Sequence, residues 1–572
     1  MMADKGFEMI RPTLEGLTCD DTKAETRMRL RGGEESTANE WAGLSNLFND
    51  LPAHLHQQLR CTISQSVERF TYSSGVRVQR NNRSQFAGFR GTALPESTVS
   101  VEKYVQDLLM QVIPHCINMN SARCLGHMTG GVPPFVRLLG ELVLALNQNM
   151  VKQEASGSFT WLERQTLAML HRLVFARTDD FYAEHAQRPA STLGIITADG
   201  TIANITALWI ARNRALASNN GCGSPESEGL STALQNHGYQ GAVIMGSKLM
   251  HYSIDKAGSL LGIGFRNVLK IDVDGRGKLQ TRRLREMLKE CARQRQRVLA
   301  IVGTAGTTDC GSIDPLAEMA EIAREKEIHF HVDAAWGTPL LFSNRYRDFV
   351  AGIQHADSVA LDGHKQLHLP AGTNAVVLRD PNAAQVIEKE ANYMLQKASG
   401  DLGKRSLEGS RGATALFLHA ALNIIGASGY DALITRSIQM AELLATMLLE
   451  RPEFELLIPP ETNIVLYRYL PPPCRALLRN GGLTPADLSQ VNACNERLQQ
   501  VQSALGRGLV ARTILAHLVN DGSPVVALRA VITNPFTGRT DFEAVLQEQA
   551  EIGDSIWEQD GAELRRKPVG MR

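Results

Sequence analysis

Apolar positions along this chain change their spacing twice. Between residues 41 and 122 they recur at helical intervals, as at Leu44, Leu47, Phe48 and Leu51, which predicts helices there. From about residue 126 to 380 short β-branched runs alternate with amphipathic stretches. Ala242–Met245, Val298–Val302 and Ile328–Val332 read as buried strands, and Leu279–Gln296 reads as a helix. Strands separated by helical patterns predict an α/β fold with a mostly parallel sheet and crossover helices. The helical stretch Gly412–Gly426 leads toward a smaller α+β domain, with strands expected at Asn463–Tyr469 and Val525–Ile532. Residues 1–40 are polar and weakly periodic and read as a tail. Ser218–Thr232 reads as an exposed insertion and Pro471–Cys474 as a rigid surface turn. The expected division is a 1–40 tail, a 41–125 helical segment, a 126–430 large domain and a 431–572 small domain.

Composition narrows the function classes. The 572 residues carry 60 Lys+Arg against 60 Asp+Glu, so there is no net charge to draw the protein to nucleic acid. No stretch approaches 18 uninterrupted apolar residues, so no membrane partner is expected. Nine scattered cysteines form no CxxC pair, which points to a reducing, cytoplasmic setting. Neither His nor Cys shows metal-ligand spacing, so no metal is expected.

Four strings carry candidate chemistry. In DSVALDGHK, Lys365 follows a strand-like run and a turn at Gly363. It is either an amine presented at the carboxyl edge of the sheet or a solvated loop lysine. In HVDAAW, Asp333 ends an apolar strand and either meets a cationic partner or a metal, or caps the next helix. His251 opens HYSIDKAG and either stacks on a planar ring or serves the fold. In TADGTIAN, Gly200 and Thr201 open a helix, an arrangement that offers backbone N–H groups to phosphate. A Schiff-base lysine, a carboxylate, ring packing and a phosphate cradle together are what pyridoxal phosphate requires.

TADGTIANITALWIARNRA, HYSIDKAGSLLGIG, VGTAGTTDCGSIDP, HVDAAWG and DSVALDGHKQL resemble the group II pyridoxal-phosphate decarboxylases of fold type I, the aspartate aminotransferase-like class. GHMTGGVPPF and the LNQNMVKQEASGSFTWLERQTLAMLHRLV stretch are most similar to a bacterial aspartate 1-decarboxylase branch. The resemblance implies that Lys365 carries the cofactor, Asp333 pairs with its ring nitrogen, and His251 and Ala335 pack its two faces. It also implies that Gly200, Thr201 and His364 hold the phosphate, that Thr304 lies near the cofactor, and that Arg529 in RAVITNP binds the substrate α-carboxylate. Tyr393, 28 residues beyond Lys365 in a polar stretch with Gly400 and Gly403 as hinges, would return the proton to Cα.

The substrate wall is expected at His127, Thr129 and Asn149, polar residues able to face a side-chain carboxylate. The branch implies decarboxylation of L-aspartate to β-alanine. Glutamate, cysteine sulfinate or an aromatic amino acid by the same chemistry, or a non-decarboxylating lyase reaction, are the alternatives. The family also implies a homodimer with shared active sites, or a higher oligomer, with the 41–125 segment at the interface.

Overall fold

The computed structural model describes residues 51–73, 75–77, 89–217, 223–391, 399–479, 482–516 and 522–566. The chain divides into two compact units, residues 1–65 and 66–572. In the first, the described residues include the start of helix Ala53–Thr71. The polar tail expected at 1–40 lies outside the described residues.

Twelve strands are described: β1 (Cys124–Leu125), β2 (Gly194–Thr197), β3 (Gly241–Ser247), β4 (Val268–Ile271), β5 (Gln296–Thr304), β6 (His329–Asp333), β7 (Ser358–Asp362), β8 (Asn374–Leu378), β9 (Phe454–Ile458), β10 (Ile464–Tyr469), β11 (Leu509–Leu515) and β12 (Val525–Val531). Seven form one sheet in the order β2-β8-β7-β6-β5-β3-β4. Its β4, β3, β5, β6 and β7 are mutually parallel, while β8 and β2 join antiparallel at one edge. All five residues of β7 and of β8 are buried. That is why these strands read as unbroken apolar runs: helices cover both faces of such a sheet. The other sheet, β1-β11-β12-β10-β9, is antiparallel except where β1 meets β11. It packs its own core with helices Gly426–Leu449, Pro485–Leu505 and Arg539–Arg566.

The α/β expectation and the strands at 242–245, 298–302, 328–332, 463–469 and 525–532 agree with this architecture. Two local expectations are corrected. Ser218–Thr232 is no simple insertion: beyond residues 218–222, which are not described, Pro225–Glu228 and Leu230–Asn236 are helical. Pro225 and Ala233 are buried there, and Glu226 accepts from Trp209 Nε1, Arg212 and Asn213. Pro471–Cys474 is no surface turn. Its prolines start helix Pro472–Arg479, the position where a missing N–H costs nothing, and Cys474 is buried. Helix Gly426–Leu449 is long and apolar enough to cross a membrane. It buries Tyr430, Ile434, Ile438, Ala441, Leu444 and Leu448, as a core helix does.

Buried histidines give the fold an acid limit. His171, on helix Phe159–Phe175, is enclosed by Phe175, Phe181 and Tyr182, and burial pushes its pKa down to about 4. The folded state therefore holds His171 neutral. Its contribution is complete above the unfolded value near 6.5 and is lost as pH falls through the folded value. About 2 kcal/mol disappears between pH 7 and pH 5. Urea unfolding of His171→Phe at those two pH values is expected to show a stability difference smaller than wild type's by that amount. An unchanged difference would contradict the assignment.

Candidate active site

Parallel strands end at one edge of the sheet, and the candidate residues stand there. Thr304 closes β5, Asp333 closes β6 and Asp362 closes β7. His251 follows β3, and helix Gly200–Ala215 starts beside them. A cavity of about 170 Å³ is lined by Gly200, Thr201, His251, Thr304, Asp333, Ala335, His364 and Lys365, all eight residues expected around a cofactor. Asp199, Asn204, Gly306, Thr308, Trp336 and Asp362 complete the wall. These six had no assigned role in the sequence reading.

The turn that carries Lys365 is fixed on several sides. Gly363 donates to Thr373 O at 3.0 Å, and a Cβ at this glycine would lie 2.2 Å from that same oxygen. Close approach, not backbone angle, makes glycine necessary there. Tyr430 Oη donates to Leu367 O at 3.1 Å, and Gln366 Nε2 to Trp336 O at 2.6 Å. Lys365 Nζ thus points at Asp362 Oδ2, 3.0 Å away.

The neighbouring polar groups are equally determined. Asn374 Nδ2 donates to Ala198 O, so its Oδ1 accepts from His364 Nδ1 at 2.7 Å. That fixes the tautomer and leaves His364 Nε2 for another partner. Asp199 caps the helix by accepting from Ile202 N–H at 2.8 Å. His251 Nδ1 accepts from Ser253 N–H at 3.3 Å. Burial pushes the His251 pKa down, against the pull of Asp333, so the ring is neutral. Asp333 accepts from Asn204 Nδ2 at 2.9 Å and from Ala335 N–H at 3.2 Å.

Pyridoxal phosphate fits this residue set. Thr304 Oγ1, Trp336 Nε1 and Asp362 Oδ1 are buried polar atoms without a protein partner, and all three residues line the cavity. A Cβ at Gly200 would lie 2.6 Å from Asp362 Oδ1, so glycine keeps the helix start open. An amine, a carboxylate, uncapped helix N–H groups and a free imidazole nitrogen are the donors and acceptors that cofactor needs.

The residues expected around the substrate are more dispersed. Arg529, on β12, donates through Nη1 to Thr308 O on the cavity wall, and its Nε is buried without a partner. His127 stands at the surface, and partial burial of its ring, followed by the nearby Arg529 charge, lowers its pKa. Thr129 is half-buried and outside the cavity lining. The nearby Gly131 is set by contact: a Cβ there would lie 2.1 Å from Asn120 Oδ1. Asn149 stands apart from the cavity, with its side chain committed to Ser410 Oγ and Val151 N–H. Tyr393 lies outside the described residues. Gly400 and Gly403, expected as hinges, are instead packed against Gln153 and Val151.

Asn204 is the functional residue that the sequence most nearly revealed. Asparagine is a weak helix former, and one buried in a helix interior needs a specific partner. For Gly200→Ala, pyridoxal-phosphate affinity measured by equilibrium titration is expected to fall about tenfold, the cost of overpacking against Asp362. Unchanged affinity would mean that this helix start does not bound the phosphate site.

Comparison with known proteins agrees with the geometry. Residues 88–470 match the family model described as the pyridoxal-dependent decarboxylase conserved domain. The chain is 37% identical to aspartate 1-decarboxylase of Aliivibrio fischeri, over 86% of this chain and 90% of that one. It is 30% identical to L-2,4-diaminobutyrate decarboxylase of Rhizobium meliloti, over 67% and 73% respectively. The crystal structure of mouse CSAD superposes with a TM-score of 0.76 at 22% identity, covering 88% of this chain and 99% of that one. The chain therefore belongs to the pyridoxal-dependent decarboxylase family, as a carboxy-lyase that uses pyridoxal phosphate on an amino-acid substrate.

Proposed function

We propose that this carboxy-lyase removes the α-carboxylate of L-aspartate, giving β-alanine and carbon dioxide. The observation that carries the reading is Arg529, whose Nη1 donates to Thr308 O on the cavity wall, with His127 near enough to feel its charge as a second polar group. An acidic amino acid brings two carboxylates, and these are two separate donors for them. The 37% identity to an aspartate 1-decarboxylase supports the same substrate. The relative named for L-2,4-diaminobutyrate favours a second reading, a four-carbon substrate with a side-chain amine.

Pyridoxal phosphate, when bound, supplies the electron sink that accepts the electron pair left when carbon dioxide departs. The chain's residues do the rest. Lys365 Nζ would hold the cofactor through its carbonyl carbon. Asp333 would keep a proton on the ring nitrogen, and His251 and Ala335 would pack the ring. Gly200 and Thr201 N–H groups would donate to the phosphate, with His364 beside it and Thr304 near the ring. Arg529 would fix the α-carboxylate and orient the bond to be broken, while His127 and Thr129 would face the side chain. We assign return of the proton to Cα to Tyr393. Asn149 keeps a substrate role in this reading only if its bond to Ser410 breaks.

The working unit proposed is a homodimer. Leu138, Leu142 and Leu146 lie at successive helical turns on Pro134–Leu146 and are 63%, 50% and 50% exposed, an apolar stripe that a second copy would bury. Sedimentation velocity should then give a dimer, and Leu142→Glu a monomer; a wild-type monomer would refute the assembly.

Side-by-side assays with aspartate, glutamate and L-2,4-diaminobutyrate are expected to give β-alanine as the dominant amine. Dominant γ-aminobutyrate or 1,3-diaminopropane would replace aspartate as the substrate. In Asp333→Ala, kcat should fall about 10²- to 10³-fold with cofactor still bound. Near wild-type turnover would remove Asp333 from the mechanism.

A further inference from the structure

Four hydrogen bonds run in series through the interior of the seven-stranded sheet and end on Asp333. His329 Nε2 is 2.8 Å from Ser358 Oγ, and Ser358 Oγ is 2.9 Å from His331 Nδ1. His331 Nε2 is 2.9 Å from Asn204 Oδ1, and Asn204 Nδ2 is 2.9 Å from Asp333 Oδ2. Strand register builds the chain: His329 and His331 are two residues apart on β6, hence on one face, and Ser358 of β7 pairs with His331. Helix Gly200–Ala215 lies against β6 and supplies Asn204. His331, Ser358 and Asn204 are fully buried.

The direction of every bond in this series is determined. An ionised carboxylate only accepts, so Asn204 must turn its NH₂ to Asp333 and its oxygen to His331. His331 must then carry its hydrogen on Nε2. Burial lowers the His331 pKa, so the ring is neutral and its Nδ1 can only accept. Ser358 must therefore donate to His331, which leaves its oxygen to accept from His329 Nε2–H. Burial pushes His329 down to about 4, so it too is neutral. All four donors point toward Asp333, and bonds aligned in one direction polarise one another.

We infer that Asn204, His331 and Ser358 are positioning residues, a one-way hydrogen-bond chain that locks the Asp333 carboxylate and favours a proton on the cofactor's ring nitrogen. Ser253 Oγ, which accepts from the same Asn204 Nδ2 at 2.9 Å, steadies the amide in that orientation. The inference rests on the proposed reading that Asp333 faces that nitrogen. A purely structural network would hold the fold without affecting the ring.

The test uses holoenzyme loaded with pyridoxal phosphate labelled with ¹⁵N in the ring. The ¹⁵N resonance reports protonation of that nitrogen directly. In Asn204→Ala and His331→Phe the resonance is expected to move toward the unprotonated position. Turnover should fall about tenfold, as for loss of a hydrogen bond to a charged group, with KM within about twofold. His331→Gln keeps an N–H donor and should recover most of both effects. Ser358→Ala removes a single oxygen, so it remains informative if the larger changes prevent folding, and it should give a smaller shift in the same direction. An unmoved resonance in all three variants, with Asp333→Asn moving it, would overturn the chain and leave the Asp333 role intact. An unmoved resonance in Asp333→Asn as well would overturn both.

Discussion

The register of three parallel strands is the constraint on which the site depends. Thr304 of β5 pairs with Asp333 of β6, and Asp333 pairs with Ala360 of β7. Side chains alternate faces along a strand, so a slip of one residue in β6 would turn Asp333, His331 and His329 to the other side of the sheet. The register is pinned from outside the ladder. Asp314 accepts from Thr304 N–H at 2.9 Å and Leu279 N–H at 2.8 Å, while its own N–H donates to Thr304 O. Asp314 is fully buried, and burial raises its pKa to about 6 even though those two N–H groups oppose the rise. A costly carboxylate is thus held where it fixes a strand end.

Much of the site was legible because strand ends are legible. Apolar runs with a polar residue at the carboxyl end, HVD and SVALD, marked where β6 and β7 stop. The sheet then brought those ends together with Gly200, His251 and Thr304. What the sequence hid was the wiring between distant segments. Asn204 and Asp333 are 129 residues apart, and nothing local in either string names the other. Asp362 drew no role from its string, yet it faces Lys365 and limits Gly200. The helices at 225–236 were hidden by a Ser- and Gly-rich composition. Their start signal was present: Ser224 and Ser227 form a capping box with Pro225 in the first turn. Strand β11 was missed because exposed Arg512 and Ile514 share a face with the buried Val510 and break its apolar pattern.

A net charge of zero conceals a strongly organised interior. Glu163 is 1% exposed and bonds both guanidinium nitrogens of Arg411. Glu388 accepts from Lys404 and Arg405, and Lys389 N–H donates to Lys404 O. These contacts tie the chain just before residue 391 to the chain just after 399. The proposed proton donor Tyr393 falls between two anchored ends. Buried pairs of this kind lend less to stability than to geometry, because desolvation offsets most of their attraction.

The proposed chemistry depends on Lys365, in the turn that follows β7, as the residue that would carry pyridoxal phosphate. Borohydride reduction of the cofactor-loaded protein, followed by digestion and mass spectrometry, tests it at the level of a single residue. A phosphopyridoxyl group on Lys365 at near-stoichiometric yield is expected. Modification concentrated on another lysine, or an unmodified Lys365 peptide, would contradict it.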